Sequence, residues 1–213
     1  MAQKPYNATN ENLQAHALEP AMRWLIAVAL DGSTMTYGEM KERLEAEAGF
    51  STIFATRIGH VAGGLMDRIQ RIEPDAPLIN VLVVNQDDGL PSKGAGSYMA
   101  DRFEEPRLNR EDAKDVHPKL WKQYFDRAAD EVYQYSETDW AKLYESVFAR
   151  TLTIKQIEES REDRHRGTER DGVYGGNKYG KGGESPQHKS LKLWVHDNPQ
   201  QLHRSFTDVE PDM

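Results

Sequence analysis

The thirteen residues from Leu18 to Leu30 read LEPAMRWLIAVAL, and Glu19 and Arg23 are the only charges in the run. Leu18, Met22, Leu25, Ile26 and Ala29 recur at helical spacing, and Trp24, Val28 and Leu30 broaden the apolar face. The segment is therefore expected as a buried helix that later elements must cover. Asp31-Gly32 ends it. Thr36 then stands as N-cap of a second, amphipathic helix, Tyr37 to Ala48, with Glu39 at the capping-box position and Met40 and Leu44 inward. A third helix is expected from about Ser51 or Ile53 to Gln70, with Ile58, Val61, Leu65, Met66 and Ile69 on one side. Gly59, Gly63 and Gly64 cost such a helix roughly 1 kcal/mol each relative to Ala. Their presence implies close helix packing, close approach of a ligand, or a break in the helix.

The run Pro77 to Val84, PLINVLVV, is β-branched and reads as a strand, and Asp88-Gly89 favours a turn after it. Leu90 to Gly96 adds Pro, Lys and two glycines. Three helices followed by a short hairpin and a glycine-bearing loop is the order of a winged helix-turn-helix. Further along, Leu120, Trp121, Tyr124, Phe125, Ala128, Ala129, Val132 and Tyr133 form an aromatic stripe. Ser136 or Thr138 can cap a following helix with Trp140, Leu143, Tyr144, Val147 and Phe148 inward. These helices either complete the first core or form a dimer surface.

The expected fold class is mainly α with a small β-hairpin: a winged helix-turn-helix with additional helices and a flexible C-terminal arm. Its divisions are a flexible N-terminus over 1–17, the winged-helix-like domain over 18–100, a helical extension over 101–153, a charged and Gly-rich linker over 154–183, and a C-terminal helix and tail over 184–213. Six glycines fall between Gly172 and Gly183, as expected of a linker. Ser185-Pro186 can open a short helix through Leu191, Leu193, Trp194 and Val195, too short to fold alone.

At 213 residues the chain is long enough to bury a core. It has no cysteine, which removes thiol nucleophiles, disulfides and thiolate-ligated metals. The formal net charge of −8 argues against wrapping nucleic acid with the whole surface, while leaving room for a local basic face. Met1 to Asn12 lacks the pattern of a secretion signal and no apolar run approaches a membrane span, so a cytoplasmic protein with no membrane partner is expected. Glu184, His188, His196 and His203 match no closed zinc spacing, and neither a Gly-x-Ser-x-Gly elbow nor a P-loop is present. No metal, no cofactor and no catalytic residue are expected.

The blocks TYGEM, ATRIGHVAGGL and PLINVLVVNQDDG resemble the DNA-binding winged helix of O6-alkylguanine DNA alkyltransferases and of the alkyltransferase-like proteins, over residues 18 to 97. Tyr37-Gly38, Arg57, Ile58-Gly59 and the Gly89 turn stand where that pattern has its helix-two opening, its intruding Arg, its small residues and its turn. The resemblance implies a docking surface for duplex DNA. Where the pattern carries its reactive Cys, His and Arg, this chain has Leu78, Ile79 and Asn80. Only Pro77 and Val81 keep their identity there, and without a thiolate there is no alkyl acceptor. A second stretch, Gly182 to Pro199, resembles the opening helix of the PD-(D/E)xK restriction-endonuclease-like class, with Glu184 and His188 matching. The later Asp and Glu-x-Lys of that class have no counterpart in the 14 residues that follow, which implies a truncated or regulatory relative.

The expected function is a non-catalytic DNA-binding or regulatory module, the alternative being a protein-binding adaptor or a subunit of a larger, nuclease-related complex. Thr36, Tyr37, Arg57, His60, Arg68 and Lys93 are the candidate contacts to double-stranded DNA. Tyr37 either stacks on a base or covers the core. Trp121, Tyr124, His188, Lys192 and Trp194 are the candidate contacts to a protein partner or a second copy.

Overall fold

A computed structural model describes residues 5–153 and 155–161. The chain divides into two units, Met1–Gly175 and Gly176–Met213, and the second lies outside the described residues. The wide apolar face of Leu18–Leu30 has the expected result. This helix, which follows a short helix α1 (Asn10–His16), is α2, and it is buried at ten positions from Leu18 to Ala29. Helix α1, helix α4 (Ile58–Gln70), helix α8 (Glu137–Phe148) and a 3-10 turn over Ile79–Leu82 surround it.

Residues 5–17, expected as a flexible N-terminus, are folded against this body. The Thr9 hydroxyl accepts from the Asn12 amide at 3.2 Å and caps α1, whose Leu13 is buried. The Tyr6 ring stacks on His16 with centroids 4.0 Å apart. Its backbone pairs with the segment around Phe50, the Tyr6 amide donating to the Gly49 carbonyl and the Ser51 amide to the Tyr6 carbonyl. A seven-residue helix with a single core residue carries too little periodicity to be read ahead of its partner.

Helix α3 (Tyr37–Ala46) begins as expected, with Thr36 Oγ1 accepting from the Glu39 amide at 3.0 Å, and ends two residues before the expected boundary. A 3-10 turn over Ala55–Arg57 leads into α4. Two of the three glycines of α4 are explained by close packing. A Cβ on Gly64 would collide with the Gln14 side chain from α1, and one on Gly63 would come to 3.3 Å from the Tyr98 hydroxyl.

The hairpin differs from expectation. Only Val83–Val84 of the apolar run is strand, β2, and it pairs in parallel with β1 (Met35–Thr36), residue 35 opposite 83 and 36 opposite 84. The preceding Ile79–Leu82 is a buried 3-10 turn, which a run apolar at every position but Asn80 allows as readily as a strand. The turn after β2 is present: the Gly89 amide donates to the Asn85 carbonyl and Gly89 has φ +66°. Leu90 to Gly96 then runs into α5 (Ala95–Phe103) and forms no second strand of a wing. Among the described residues the structure is mainly α-helical with one two-stranded element.

The division expected at residue 100 falls inside α5. A 3-10 turn (Pro106–Asn109), the one-turn helix α6 (Ala113–Val116), α7 (Pro118–Gln134) and α8 pack into the same core as α2, which extends from Leu13 to Ile157. Ser136 caps α8 by accepting from the Asp139 amide at 3.1 Å. Two distant side chains clamp the turn after α2. The Tyr133 hydroxyl donates to the Ser33 carbonyl at 3.0 Å, and Arg161, in a helical segment described over 155–161, reaches Asp31 Oδ1 at 2.6 Å. Among the described residues no helix is long and apolar enough to cross a membrane.

Candidate nucleic-acid interface

Helix α4 buries Ile58, Val61, Ala62, Leu65, Met66 and Ile69, and this inner face fixes which residues look outward. At its amino end Phe54, Ala55, Thr56, Gly59 and His60 are exposed. Neither the 3-10 turn nor α4 has a side-chain cap at its N-terminus, and no acidic residue lies in either first turn. Such an end directs the positive pole of the helix dipole outward, while the 3-10 turn pairs the Arg57 amide with the Phe54 carbonyl and the Ile58 amide with the Ala55 carbonyl. From Ala48 to Met66 the sequence holds no Asp or Glu for 19 residues, in a chain that has 35 of them. Helix α3 and its C-cap, by contrast, carry Glu39, Glu42, Glu45 and Glu47.

Glu45 braces the approach to α4. Its Oε1 accepts from the Ile53 amide at 2.6 Å, and Lys41 lies 3.1 Å from it. Burial pushes this carboxyl's pKa up, but the Ile53 amide and Lys41 outweigh that and hold it below the ordinary glutamate range.

Arg57 is half-buried, and its Nη1 donates to Asn10 Oδ1 of α1 at 2.8 Å. His60 is exposed one turn further on. It faces a cleft of about 270 Å³ between α1, α4 and α5 that Gln14, Gly63, Asp67 and Tyr98 also line. The Tyr98 hydroxyl donates to Asp67 Oδ1 at 2.7 Å, and burial together with the Asp67 charge raises its pKa.

The remaining candidates divide by what already holds them. The Thr36 hydroxyl is engaged as the cap of α3. The Tyr37 hydroxyl lies 2.7 Å from Ser92 Oγ and accepts from the Ser92 amide at 3.2 Å, so it ties the loop over 85–94 to the start of α3. Lys93 in that loop is paired with Asp115 at 3.2 Å and keeps about half its side chain exposed. Arg68, expected on the DNA face, is committed elsewhere. Its Nε and Nη2 donate to the Val147 carbonyl at 3.3 and 3.0 Å, and its guanidinium lies 4.6 Å from the Phe148 ring centroid. It satisfies a carbonyl at the end of α8, where a cation is also favoured by the dipole.

Of the expected partner contacts, Trp121 is fully buried under α5 and belongs to the core. Gly96 lies so close that a Cβ there would reach 3.0 Å from the indole ring. Tyr124 is half-buried against Phe103, ring centroids 5.4 Å apart. His188, Lys192 and Trp194, with Glu184, lie outside the described residues.

Phe54 carries no signal in the sequence that sets it apart from a core residue. A helix starting at Ser51 or Ile53 would contain it, whereas it precedes the 3-10 turn and is 71% exposed. Among the described residues no three His, Asp or Glu side chains gather to hold a metal ion. Compared with protein-family models, curated proteins and solved structures, the chain finds no match in any of the three.

Proposed function

We propose that this chain is a DNA-binding module that docks through the amino end of α4, with α3 and α4 as a helix-turn-helix and the loop over 85–94 in the place of a wing. The observation that carries the proposal is the exposed, uncapped and acid-free start of α4 in an otherwise acidic protein. The positive helix end and Arg57 suit a phosphate, and the exposed positions among residues 54–60 suit the groove beside it. The resemblance to the winged helix of the alkyltransferase-like proteins points to the same surface. Arg57 would exchange its exposed hydrogen bond to Asn10 for one to phosphate, which is charge-assisted and stronger. Lys93 would approach phosphate from the loop that Tyr37 anchors. Arg68 is outside this contact set because α8 holds it.

The test is fluorescence anisotropy of labelled DNA with wild type and Arg57→Ala, repeated from about 50 to 200 mM salt, where a contact to several phosphates weakens steeply. The expected outcome is salt-sensitive binding by wild type that Arg57→Ala weakens severalfold with a shallower salt slope. No binding by wild type at low salt would sink the proposal.

A further inference from the structure

Phe54 is the most exposed large apolar side chain among the described residues, ahead of Ile72 and Val116. The backbone that carries it is braced on both sides. Ile53 is fully buried and its amide is held by Glu45 at 2.6 Å. The Phe54 carbonyl accepts from the Arg57 amide at 2.8 Å and so opens the 3-10 turn. Ile58, one turn on, is again fully buried. The ring is thus held outward on a fixed base, flanked by the exposed small residues Thr52, Ala55 and Thr56. Beside it Gly59 has no atom within 4 Å of the place a Cβ would occupy, so the space in front of this turn is open.

The surroundings select the occupant. A purely apolar partner would gain nothing from the positive helix end and Arg57 beside the ring, and a carboxylate alone would gain nothing from the ring. A nucleobase next to its own phosphate offers both at once: a π-face for Phe54 and an anion for the helix end. A base inside closed B-form duplex presents only its edge, whereas an unpaired base presents its face. We infer that Phe54 is a stacking residue for an unpaired base, so that the α4 interface prefers DNA containing an unpaired stretch over closed duplex. This rests on the DNA-binding reading of the same site and names the form of DNA that it takes.

The test uses the full chain at low salt with three labelled probes of equal length: a closed duplex, the same duplex with a short single-stranded gap, and the single strand. Wild type, Phe54→Ala and Phe54→Trp are compared by anisotropy, with 2-aminopurine in the gap as a stacking reporter. Removing an aromatic that stacks on one base weakens binding roughly 5- to 150-fold. The expected result is tighter binding of the gapped probe by wild type with quenched 2-aminopurine. Phe54→Ala falls to the closed-duplex level without quenching, and Phe54→Trp retains both. An unchanged thermal midpoint in Phe54→Ala, expected for so exposed a side chain, shows that the fold is intact. If wild type binds DNA but Phe54→Ala binds the gapped probe equally well, the stacking inference is overturned and the DNA-binding reading stands. Equal affinity of wild type for gapped and closed duplex overturns it too, as does a change confined to self-association in sedimentation. No binding of any probe by wild type fails both readings together.

Discussion

Gly96 and Gly59 each occupy the second position of a helix, and the structure assigns opposite signs to the same substitution. In Gly96→Ala the new methyl would overlap the Leu108 carbonyl oxygen and lie 3.0 and 3.1 Å from two atoms of the Trp121 ring. Neither neighbour is a free side-chain tip: Leu108 presents backbone, and Trp121 is fully buried. Overpacking of this kind costs about 1–3 kcal/mol. Ala regains at most about 1 kcal/mol through its helix preference. With backbone forced to move, the expected net loss is about 2 kcal/mol, or about 4–8 °C in Tm for a body of this size. Gly59→Ala meets nothing within 4 Å and is expected to stabilise by up to about 1 kcal/mol. Urea unfolding followed by far-ultraviolet circular dichroism, with common slopes for the two variants and wild type, reads both shifts. A Gly96→Ala protein as stable as wild type would refute the packing of α5 on α7 and on the Pro106–Asn109 turn.

Arg68→Ala is expected to lose about 1–2 kcal/mol, from a charged donor to the Val147 carbonyl and a stacked guanidinium, while leaving DNA affinity intact. Chemical denaturation and anisotropy on one preparation separate the two effects. Tyr37→Phe removes a hydroxyl that serves both the Ser92 side chain and the Ser92 amide, and is expected to cost about 1 kcal/mol. Faster amide exchange at Ser92 would accompany it. The Glu45 carboxyl has its pKa lowered in the fold, so its contribution is complete above the ordinary glutamate range and is lost as the pH falls through the lowered value. A titration of unfolding midpoints through the acid limb should therefore be flatter in Glu45→Gln than in wild type.

The helices of the core were legible wherever an apolar stripe ran for three turns. Leu18–Leu30 reads at its observed bounds and Thr36 reads as a cap, while Ser136 shares the next cap position with Thr138 and the aromatic stripe of α7 reads either as core or as a dimer surface. The β element was not, because Pro77 to Val84 is apolar at every position but Asn80, and period-two and 3-10 spacing cannot be told apart in such a run. Its partner Met35–Thr36 is two residues long and reads as the lead-in to a helix. At the candidate site, residue type located Arg57, His60 and Lys93 but could not say which cations were free. Arg68 sits three positions before Arg71, the C-cap of the same helix, and only the distant carbonyl of Val147 distinguishes its role. Phe54 is apolar by type and exposed by geometry, a combination that no periodicity argument separates from a core residue.

The clamp on the turn after α2 sets an order of events during synthesis. Asp31 leaves the ribosome 130 residues ahead of Arg161, an interval of about 6 to 26 s at ordinary elongation rates. Tyr133, which closes the same turn on Ser33, follows it by 100 residues. Until residues 118–148 follow, the Leu18–Leu30 helix lacks α7 and α8, so its flank toward them stays wet and open to wrong partners. A fragment ending at residue 150 would keep that turn permanently short of its guanidinium, and the natural place to shorten this protein for expression lies beyond Arg161.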